Sequence, residues 1–197
     1  MGAGVPGGLG MRDGPNAPSR PSSGVKRGST AGKPPWKGGP KAKVVIEEFT
    51  DFECPFCTRG ARVMNRIIRH YGSKVRLVFH HMPIRQIHPQ AMQAAEAAVC
   101  AQRQGKFWAM HDQMFANNTN LSRADLIKYA RRIGLNVPKF TKELDSGACK
   151  AQVLRDVKLA RKRGVTGTPA FFVNGSKTEG AYPFAHFKRI IDAELSD

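Results

Sequence analysis

The fold is decided by residues 44–57, which read VVIEEFTDFECPFC. Their first half is rich in β-branched side chains, which predicts a short strand buried in a sheet. A helix follows at once, because Pro55 suits a first helical turn and apolar and basic residues then recur at helical spacing up to Gly72. Cys54 and Cys57 therefore lie where the strand passes into the helix.

The segments on the C-terminal side of this junction predict an α/β fold. Residues 75–80 read as a second strand, and a strand, helix and strand at this spacing form a right-handed parallel crossover. Residues 89–164 carry the signals of four helices, which start at Ala91, at the caps Ser122 and Asn136, and at Ala148, and they predict a helical insertion. A strand at 170–173, the tight turn Asn174-Gly175 and a strand near 177–181 predict an antiparallel hairpin before a closing helix. We expect a central mixed sheet of about four strands, flanked by helices.

The chain divides by composition into a tail and one domain. Residues 1–42 are dominated by Gly, Pro, Ser and basic residues, which predicts a disordered tail or linker, whereas residues 43–197 form the domain. No apolar run approaches the roughly 20 residues that a membrane-spanning helix needs. The tail also lacks the apolar stretch of a secretory signal. From the residues alone, we expect a cytoplasmic protein or one whose export signal lies outside this sequence.

The charge of the chain is strongly positive, at +17 from 32 basic and 15 acidic residues. Such a charge favours contact with polyanions. The tail and the domain are both basic, so no single patch stands out in the sequence. The spacing of a Cys/His metal finger and the aromatic strands of an RNA-binding sheet are both missing, so we expect no specific nucleic-acid partner.

The cysteine pair indicates redox chemistry. Unpaired N–H groups at the start of a helix stabilise a thiolate, which lowers the pKa of Cys54, and two intervening residues let the sulfur of Cys57 reach it. The alternative is half of a zinc site, which needs two more ligands. There is no second Cys-x-x-Cys, and His80, His81 and His88 follow a strand instead of forming a spaced pair on a helix. We therefore expect neither a metal nor an organic cofactor.

Three motifs together give the chain a specific resemblance. They are residues 48–57, the helical stretch 94–108 and residues 164–175, which read GVTGTPAFFVNG. With these motifs, residues 43–197 resemble the DsbA-like branch of the thioredoxin superfamily. The resemblance implies a thioredoxin-like fold with an inserted helical subdomain, and a monomeric protein thiol-disulfide oxidoreductase of the periplasm or cell envelope. Its partners would be protein thiols or disulfides and a redox protein that re-oxidises or re-reduces the pair.

The resemblance also implies roles for the residues around the cysteines. Cys54 would be the attacking thiolate and Cys57 the resolving thiol. Glu48, six residues before Cys54, stands where many thioredoxin-like proteins have a buried acid that accepts the proton of the second cysteine. Burial would raise the pKa of this carboxyl toward neutrality. Glu47 stands beside it, and strand alternation points only one of the two inward.

Substrate contacts are implied at two places. Pro55 and Phe56 lie between the cysteines. Thr168 and Pro169 would form the cis-proline segment, which lies against the cysteine pair and aligns an extended substrate. A proline at the head of a strand is compatible with this, although the residues alone predict only a plain strand start.

The direction of electron transfer stays open between a dithiol oxidase, an isomerase and a reductase. Phe56 stands where many DsbA-like oxidases have histidine, and Glu53 adds negative charge beside Cys54; both changes oppose a stable thiolate. A rival from another class is a non-catalytic protein that binds a metal or a polyanion. Cys100 and Cys149 either form a structural disulfide or stay separate thiols, and sequence separation does not decide between these.

Overall fold

A computed structural model describes residues 25–196. The strands are β1 (Arg27–Gly28), β2 (Trp36–Gly38), β3 (Val44–Thr50), β4 (Val75–His81), β5 (Ala170–Val173) and β6 (Ser176–Glu179). The helices are α1 (Pro55–Tyr71), α2 (Ala91–Arg103), α3 (Phe107–Ala116), α4 (Arg123–Arg132), α5 (Val137–Asp145), α6 (Lys150–Lys162) and α7 (Phe184–Ser196), and a 3-10 turn over Gly72–Lys74 joins α1 to β4.

The strands form one mixed sheet in the order β1-β2-β4-β3-β5-β6. β3 and β4 run parallel, so the predicted crossover through α1 is confirmed. β5 and β6 form the predicted antiparallel hairpin. Its turn is made by Asn174 and Gly175, both at positive φ. The four predicted strands therefore form the centre and one edge of the sheet.

Helices cover both faces of the sheet. On the first face, Ile46 and Phe171 pack with Met64 of α1 and Phe187 of α7. On the second face, Phe49 packs with the α6 side of the molecule in a smaller apolar cluster. Because side chains alternate along a strand, each position of β3 is assigned to one of these two environments.

The prediction that residues 25–42 belong to a disordered tail is wrong. β1 pairs with β2, and β2 pairs with β4, so this segment extends the sheet by two strands. The indole N–H of Trp108 donates to the carbonyl oxygen of Trp36 at 3.0 Å, and the side chain of Gln102 donates to the carbonyl oxygens of Thr30 and Lys33. The segment gains its order from backbone pairing, which composition does not reveal. The rest of the predicted tail, residues 1–24, lies outside the described residues.

Two glycines of this segment are required by close packing. A Cβ at Gly28 would lie 2.1 Å from the indole nitrogen of Trp36. At Gly38, φ is +108° and a Cβ would lie 2.1 Å from the carbonyl oxygen of Val75. Glycine composition, which suggested a linker, here permits strands and an indole ring to pack closely.

The helical insertion holds five helices, α2 to α6. The predicted caps are present: the Ser122 hydroxyl accepts from the N–H of Asp125, and the Asn136 side chain accepts from the N–H of Lys139. The helix α3 was missed as a separate element, because its N-cap residue, Lys106, makes no side-chain cap bond. Capping side chains are therefore sufficient to predict where α4 and α5 begin, whereas α3 has no such signal.

Cys100 and Cys149 form a disulfide, with a Cα–Cα distance of 5.6 Å. The bond joins α2 to the residue that precedes α6. The question left open by the sequence is thus answered by tertiary packing, which brings together two cysteines that are 49 residues apart in the chain.

Candidate functional site

Cys54 and Cys57 lie where β3 gives way to α1. Cys54 is the N-cap of α1 and Pro55 is its first residue, as the sequence predicts. Both thiols are free; Cys54 is 4% exposed and Cys57 is fully buried. The loop before them is held by Asp51, whose carbonyl oxygen accepts from the N–H of Cys54 at 3.3 Å and whose own N–H lies 3.5 Å from the sulfur of Cys57.

The two thiols differ strongly in acidity. A hydrogen bond from the thiol of Cys57 is the largest of the effects that lower the pKa of Cys54 to about 6, against the opposing effect of burial. The backbone N–H groups of Cys57 and Phe56 and the side chain of Thr168 act in the same direction. Burial, followed by the negative sulfur of Cys54, raises the pKa of Cys57 well above its ordinary value. At neutral pH the pair therefore holds one thiolate, on Cys54, and one thiol.

The Thr168-Pro169 peptide bond is cis, and this segment lies against the cysteines. The sulfur of Cys54 is 3.7 Å from the carbonyl oxygen of Thr168. Pro169 packs on the first turns of α1, since a Cβ at Gly60 would lie 3.3 Å from its Cγ. The structure thus brings together two segments that are more than a hundred residues apart in the chain.

Glu48 is completely buried on the face of the sheet that α1 covers. Burial raises the pKa of this carboxyl to about 7, and the charge of Lys37 acts in the opposite direction. Thr50 lies two residues further along the same face, and it lowers the pKa of Cys57 against the larger effect of burial. Glu48 and Thr50 therefore share the face that α1 covers, and the neighbouring Glu47 points to the other face, where it pairs with Arg163.

Lys37 is a site residue that the sequence reading missed. It lies on β2, is 4% exposed and donates a hydrogen bond to the side-chain oxygen of Asn65 on α1. Its ammonium group is 4.4 Å from the centre of the Trp108 ring. Burial lowers the pKa of Lys37 to about 8, while the charges of Asp112 and Glu48 oppose this. The ordered N-terminal segment thus contributes the ammonium group of Lys37, whose positive charge acts on the buried carboxyl of Glu48.

No local signal could have identified Lys37, because it stands in a stretch of Gly, Pro and basic residues. Its partner Leu77 on β4 is the cross-strand neighbour of Ile46 on β3. Directly paired residues share a face of the sheet, so this register places Lys37 on the same face as Glu48. Only the strand pairing reveals that Lys37 lies on the same face of the sheet as the buried carboxyl of Glu48.

Hydrogen bonds tie the cysteine loop to the segment that enters α2. A carboxylate oxygen of Asp51 lies 2.8 Å from Nδ1 of His88 and accepts from the N–H of Ile84 at 2.8 Å. The carboxylate of Glu53 accepts from the N–H of Gln90 at 2.7 Å. Glu53 was expected to oppose the Cys54 thiolate, but its charge is directed to this neighbouring segment.

The other histidines considered as zinc ligands lie in separate environments. His80 sits between Glu47, at 3.5 Å, and Asp156, at 3.7 Å. His81 is buried among aromatic rings, and burial lowers its pKa to about 4. Within residues 25–196, one group of three possible metal ligands occurs, Cys100 with Glu143 and Cys149, and its two cysteines are joined as a disulfide.

A family described as Thioredoxin matches residues 30–193. The chain belongs to the thioredoxin family. This match begins within the segment that composition assigned to a tail, and it includes the strand β2 of this thioredoxin-family domain. None of the helices described for residues 25–196 has the length and apolarity needed to cross a membrane.

A curated relative of this thioredoxin-family domain is the Na(+)/H(+) antiporter NhaA 3 of Salinispora tropica. The two are 40% identical over 146 residues, which is 74% of this chain and 22% of the antiporter. Relatives from Mycobacterium carry the same kind of name, and this chain spans 26% of their length. The chain thus spans about a quarter of the curated relatives that it matches.

Solved structures share the thioredoxin-like fold of this domain, as the resemblance implied. A thioredoxin-like oxidoreductase from Silicibacter pomeroyi is 26% identical, with a TM-score of 0.75 over 83% of this chain and 93% of that one. A periplasmic thioredoxin-like protein of Salmonella enterica is 22% identical, with a TM-score of 0.72 over 83% and 91%. The thiol-disulfide exchange protein α-DsbA2 of Wolbachia pipientis is 20% identical, with a TM-score of 0.72 over 81% and 86%, and shares the fold.

Proposed function

We propose that this domain exchanges disulfides with protein substrates through Cys54 and Cys57, and that it works as a dithiol oxidase. The observation that carries the proposal is the unequal acidity of the pair, with the pKa of Cys54 near 6 and that of Cys57 well above its ordinary value. A thiolate that is stable at neutral pH stabilises the reduced pair relative to its disulfide. The disulfide is then readily reduced, which makes the domain an oxidant.

The oxidation of a substrate takes two exchange steps. A substrate thiolate attacks the sulfur of Cys54 in the Cys54–Cys57 disulfide, and Cys57 leaves with the electron pair and takes up a proton. A second substrate thiolate then attacks the substrate sulfur of the mixed disulfide, and Cys54 leaves as its stable thiolate. The substrate is oxidised by two electrons, the domain is reduced by two, and a redox partner restores its disulfide.

Glu48 is proposed as the group that exchanges the proton with Cys57. Its pKa of about 7 lets it both hold and release a proton near neutral pH. Lys37 limits how far that pKa rises, since the buried cation favours the ionised carboxylate. We regard Lys37 as a positioning residue, because it acts through Glu48 and does not touch the reacting sulfurs.

The substrate is proposed to lie across Pro55, Phe56, Thr168 and Pro169. Phe56 is 53% exposed, which is unusual for a large apolar side chain beside two buried cysteines. Thr168 precedes the first ladder residue of β5, so within the described part of the chain its backbone N–H stays outside the sheet pairing. An extended substrate segment can therefore add hydrogen bonds at this edge.

An isomerase or reductase is the alternative, and Phe56 favours it. Phenylalanine between the cysteines supplies no charge or hydrogen bond to the Cys54 thiolate, unlike the histidine of many DsbA-like oxidases. The equilibrium of the pair with glutathione decides between these directions. We expect a reduction potential above about −180 mV, whereas a value below about −230 mV would assign the domain to the reductants.

We propose that the domain works as a monomer in the periplasm or cell envelope. The Cys100–Cys149 disulfide supports this location, because such bonds persist in oxidising compartments. The name of the Salmonella protein of similar fold gives further support. In the alternative location, the cytoplasm, thiols are kept reduced, and alkylation of the protein in intact cells distinguishes the two.

The central test compares Cys54→Ser and Cys57→Ser with the unaltered protein in the oxidation of a reduced, unfolded substrate protein. Cys54→Ser should abolish turnover. When the Cys57→Ser variant is instead given a disulfide-bonded substrate protein, it should accumulate a mixed disulfide: the Cys54 thiolate attacks the substrate disulfide and releases one substrate thiolate, and no Cys57 thiol is left to resolve the product. Full activity of the Cys54→Ser variant would remove the proposal.

A further inference from the structure

Four arginines form an exposed stripe along α1. They are Arg59, Arg62, Arg66 and Arg69, which we call the arginine stripe. Spacings of three and four residues place them on one side of the helix. At 1.5 Å per residue, the stripe is about 15 Å long.

The charge of the arginine stripe is not neutralised within the described part of the chain. The helix α1 contains no acidic residue, and none of the ion pairs of residues 25–196 includes a stripe arginine. The acids of the neighbouring α7 are engaged elsewhere: Asp192 binds Tyr71 and Lys188, and Glu194 accepts from Asn174. The stripe therefore presents four cationic groups to whatever approaches α1.

The stripe begins beside the cysteine motif. The guanidinium carbon of Arg59 lies 4.6 Å from the ring centre of Phe56, the exposed residue between the two cysteines. Phe56 is two residues from Cys54 in the chain, so a partner whose sulfur reaches Cys54 comes close to this point. The positive charge thus extends along α1 from the place where exchange occurs.

We propose that the arginine stripe binds acidic side chains of the protein partner and steers the partner's cysteine to Cys54. This inference rests on the proposed function. A length of about 15 Å matches four or five extended residues at about 3.4 Å each, so the acidic residues would lie within that distance of the partner's cysteine. A lipid surface is disfavoured as the occupant, since a membrane laid on α1 would cover the side from which a protein partner approaches Cys54.

The test measures the rate at which the oxidised domain oxidises short dithiol peptides. One peptide carries three Asp residues within five positions of its cysteine, and a matched peptide carries Asn at the same positions. The ratio of the two second-order rates is the readout. At low ionic strength we expect about a tenfold preference for the acidic peptide, which falls as salt is added, because steering by charge is screened.

The decisive variant combines Arg62→Gln, Arg66→Gln and Arg69→Gln, and leaves Arg59 in place because it contacts Phe56. In this variant, the ratio of the rate for the Asp peptide to the rate for the Asn peptide should fall to about one. A second variant with Lys at the same three positions should keep the preference. It separates charge from packing, since Arg66 also lies 4.1 Å from the ring of Phe184.

A control variant removes the same charge from the helical insertion by Lys128→Gln, Lys139→Gln and Lys142→Gln. These exposed lysines lie on α4 and α5 and take part in none of the ion pairs found in residues 25–196. The control should keep most of the preference. An equal loss in both Gln variants would assign the effect to net charge and overturn the proposal.

Two further outcomes also contradict the arginine stripe as a protein-binding surface. One is equal rates for the two peptides with the unaltered domain at low salt. The other is binding of the domain to phosphatidylglycerol vesicles that the Gln stripe variant loses while its peptide preference is kept. Failure to oxidise even the Asn peptide is a different result, because it removes the proposed function as a whole.

Discussion

The substitution Glu48→Gln should make the protein more stable at neutral pH while it slows exchange. Burial raises the pKa of Glu48 from 4.5 to about 7, so the ionised carboxylate destabilises the folded state. At about 1.4 kcal/mol per pH unit, the cost above pH 7 is about 3 kcal/mol. Glutamine fills the same space without a charge, and neither oxygen of Glu48 has a hydrogen-bond partner within the described residues to lose.

The sign of the pH dependence follows from the raised pKa. Between pH 4.5 and about 7 the folded state binds the proton more tightly than the unfolded state, so the stability of the unaltered protein falls as pH rises through this window. Below pH 4.5 both states are protonated, and the variant gains nothing. The attraction between Glu48 and Lys37 is already contained in the pKa of about 7, so about 3 kcal/mol is the net gain expected at pH 7.5.

Urea unfolding of the reduced protein at pH 4 and at pH 7.5 measures this difference directly. Glu47→Gln is the matched control, because the neighbouring His80 and Arg163 hold the pKa of Glu47 at about 2. Its loss should destabilise the protein at neutral pH, which is the opposite sign. A Glu48→Gln variant that is equally or less stable at pH 7.5 would refute the argument that this carboxyl is buried without compensation.

Exchange kinetics provide the second readout for Glu48→Gln. A proton carrier in this position contributes on the order of 100-fold to a rate, so release and re-protonation of Cys57 should slow by about that factor. In the unaltered protein, the exchange rate should change near pH 7 as Glu48 titrates, and this change should be absent from the pH profile of the variant. If the rate and its pH profile match those of the unaltered protein, Glu48 does not carry the proton.

Three further predictions concern the groups around this acid. Alkylation of the reduced protein should show a midpoint near pH 6 for Cys54, and a midpoint near 9 would contradict its activation. Removal of the disulfide by a double Ala substitution at Cys100 and Cys149 should lower stability by about 4 kcal/mol for a 49-residue separation, as measured by urea unfolding, and should leave the pH midpoint of Cys54 unchanged. Lys37→Met should raise the pKa of Glu48 above 7, seen as an upward shift of the exchange profile; an unshifted profile would show that the two groups are not coupled.

Much of the fold follows from local signals in the sequence. The β-branched run before Glu48 favours a strand, and the Cys-Pro start favours a helix, because these preferences act within a few residues. The same holds for the turn at Asn174 and the caps at Ser122 and Asn136. Each of these signals depends on backbone conformation or on a hydrogen bond to a near neighbour. Each can therefore be recognised from a few consecutive residues of the sequence.

The elements that were missed depend on distant partners. Residues 25–42 contain few apolar side chains, yet they are ordered through the pairing of β2 with β4. Similarly, α3 has no capping side chain and is held by the burial of Phe107 and Trp108 in the core. Such stabilisation comes from packing against segments that are distant in the chain. Local sequence patterns do not show which segments will pack together.

The cysteine pair can be identified from the amino-acid sequence, since the position of Cys54 at a strand–helix junction is a local property. The groups that surround the pair are set by the packing of distant segments. This packing joined Cys100 to Cys149, brought the carbonyl oxygen of Thr168 to the sulfur of Cys54, and placed the ammonium group of Lys37 on the same face as the carboxyl of Glu48. The acidity of a group depends on burial and on charges within a few ångströms, and for these residues both come from segments distant in the chain.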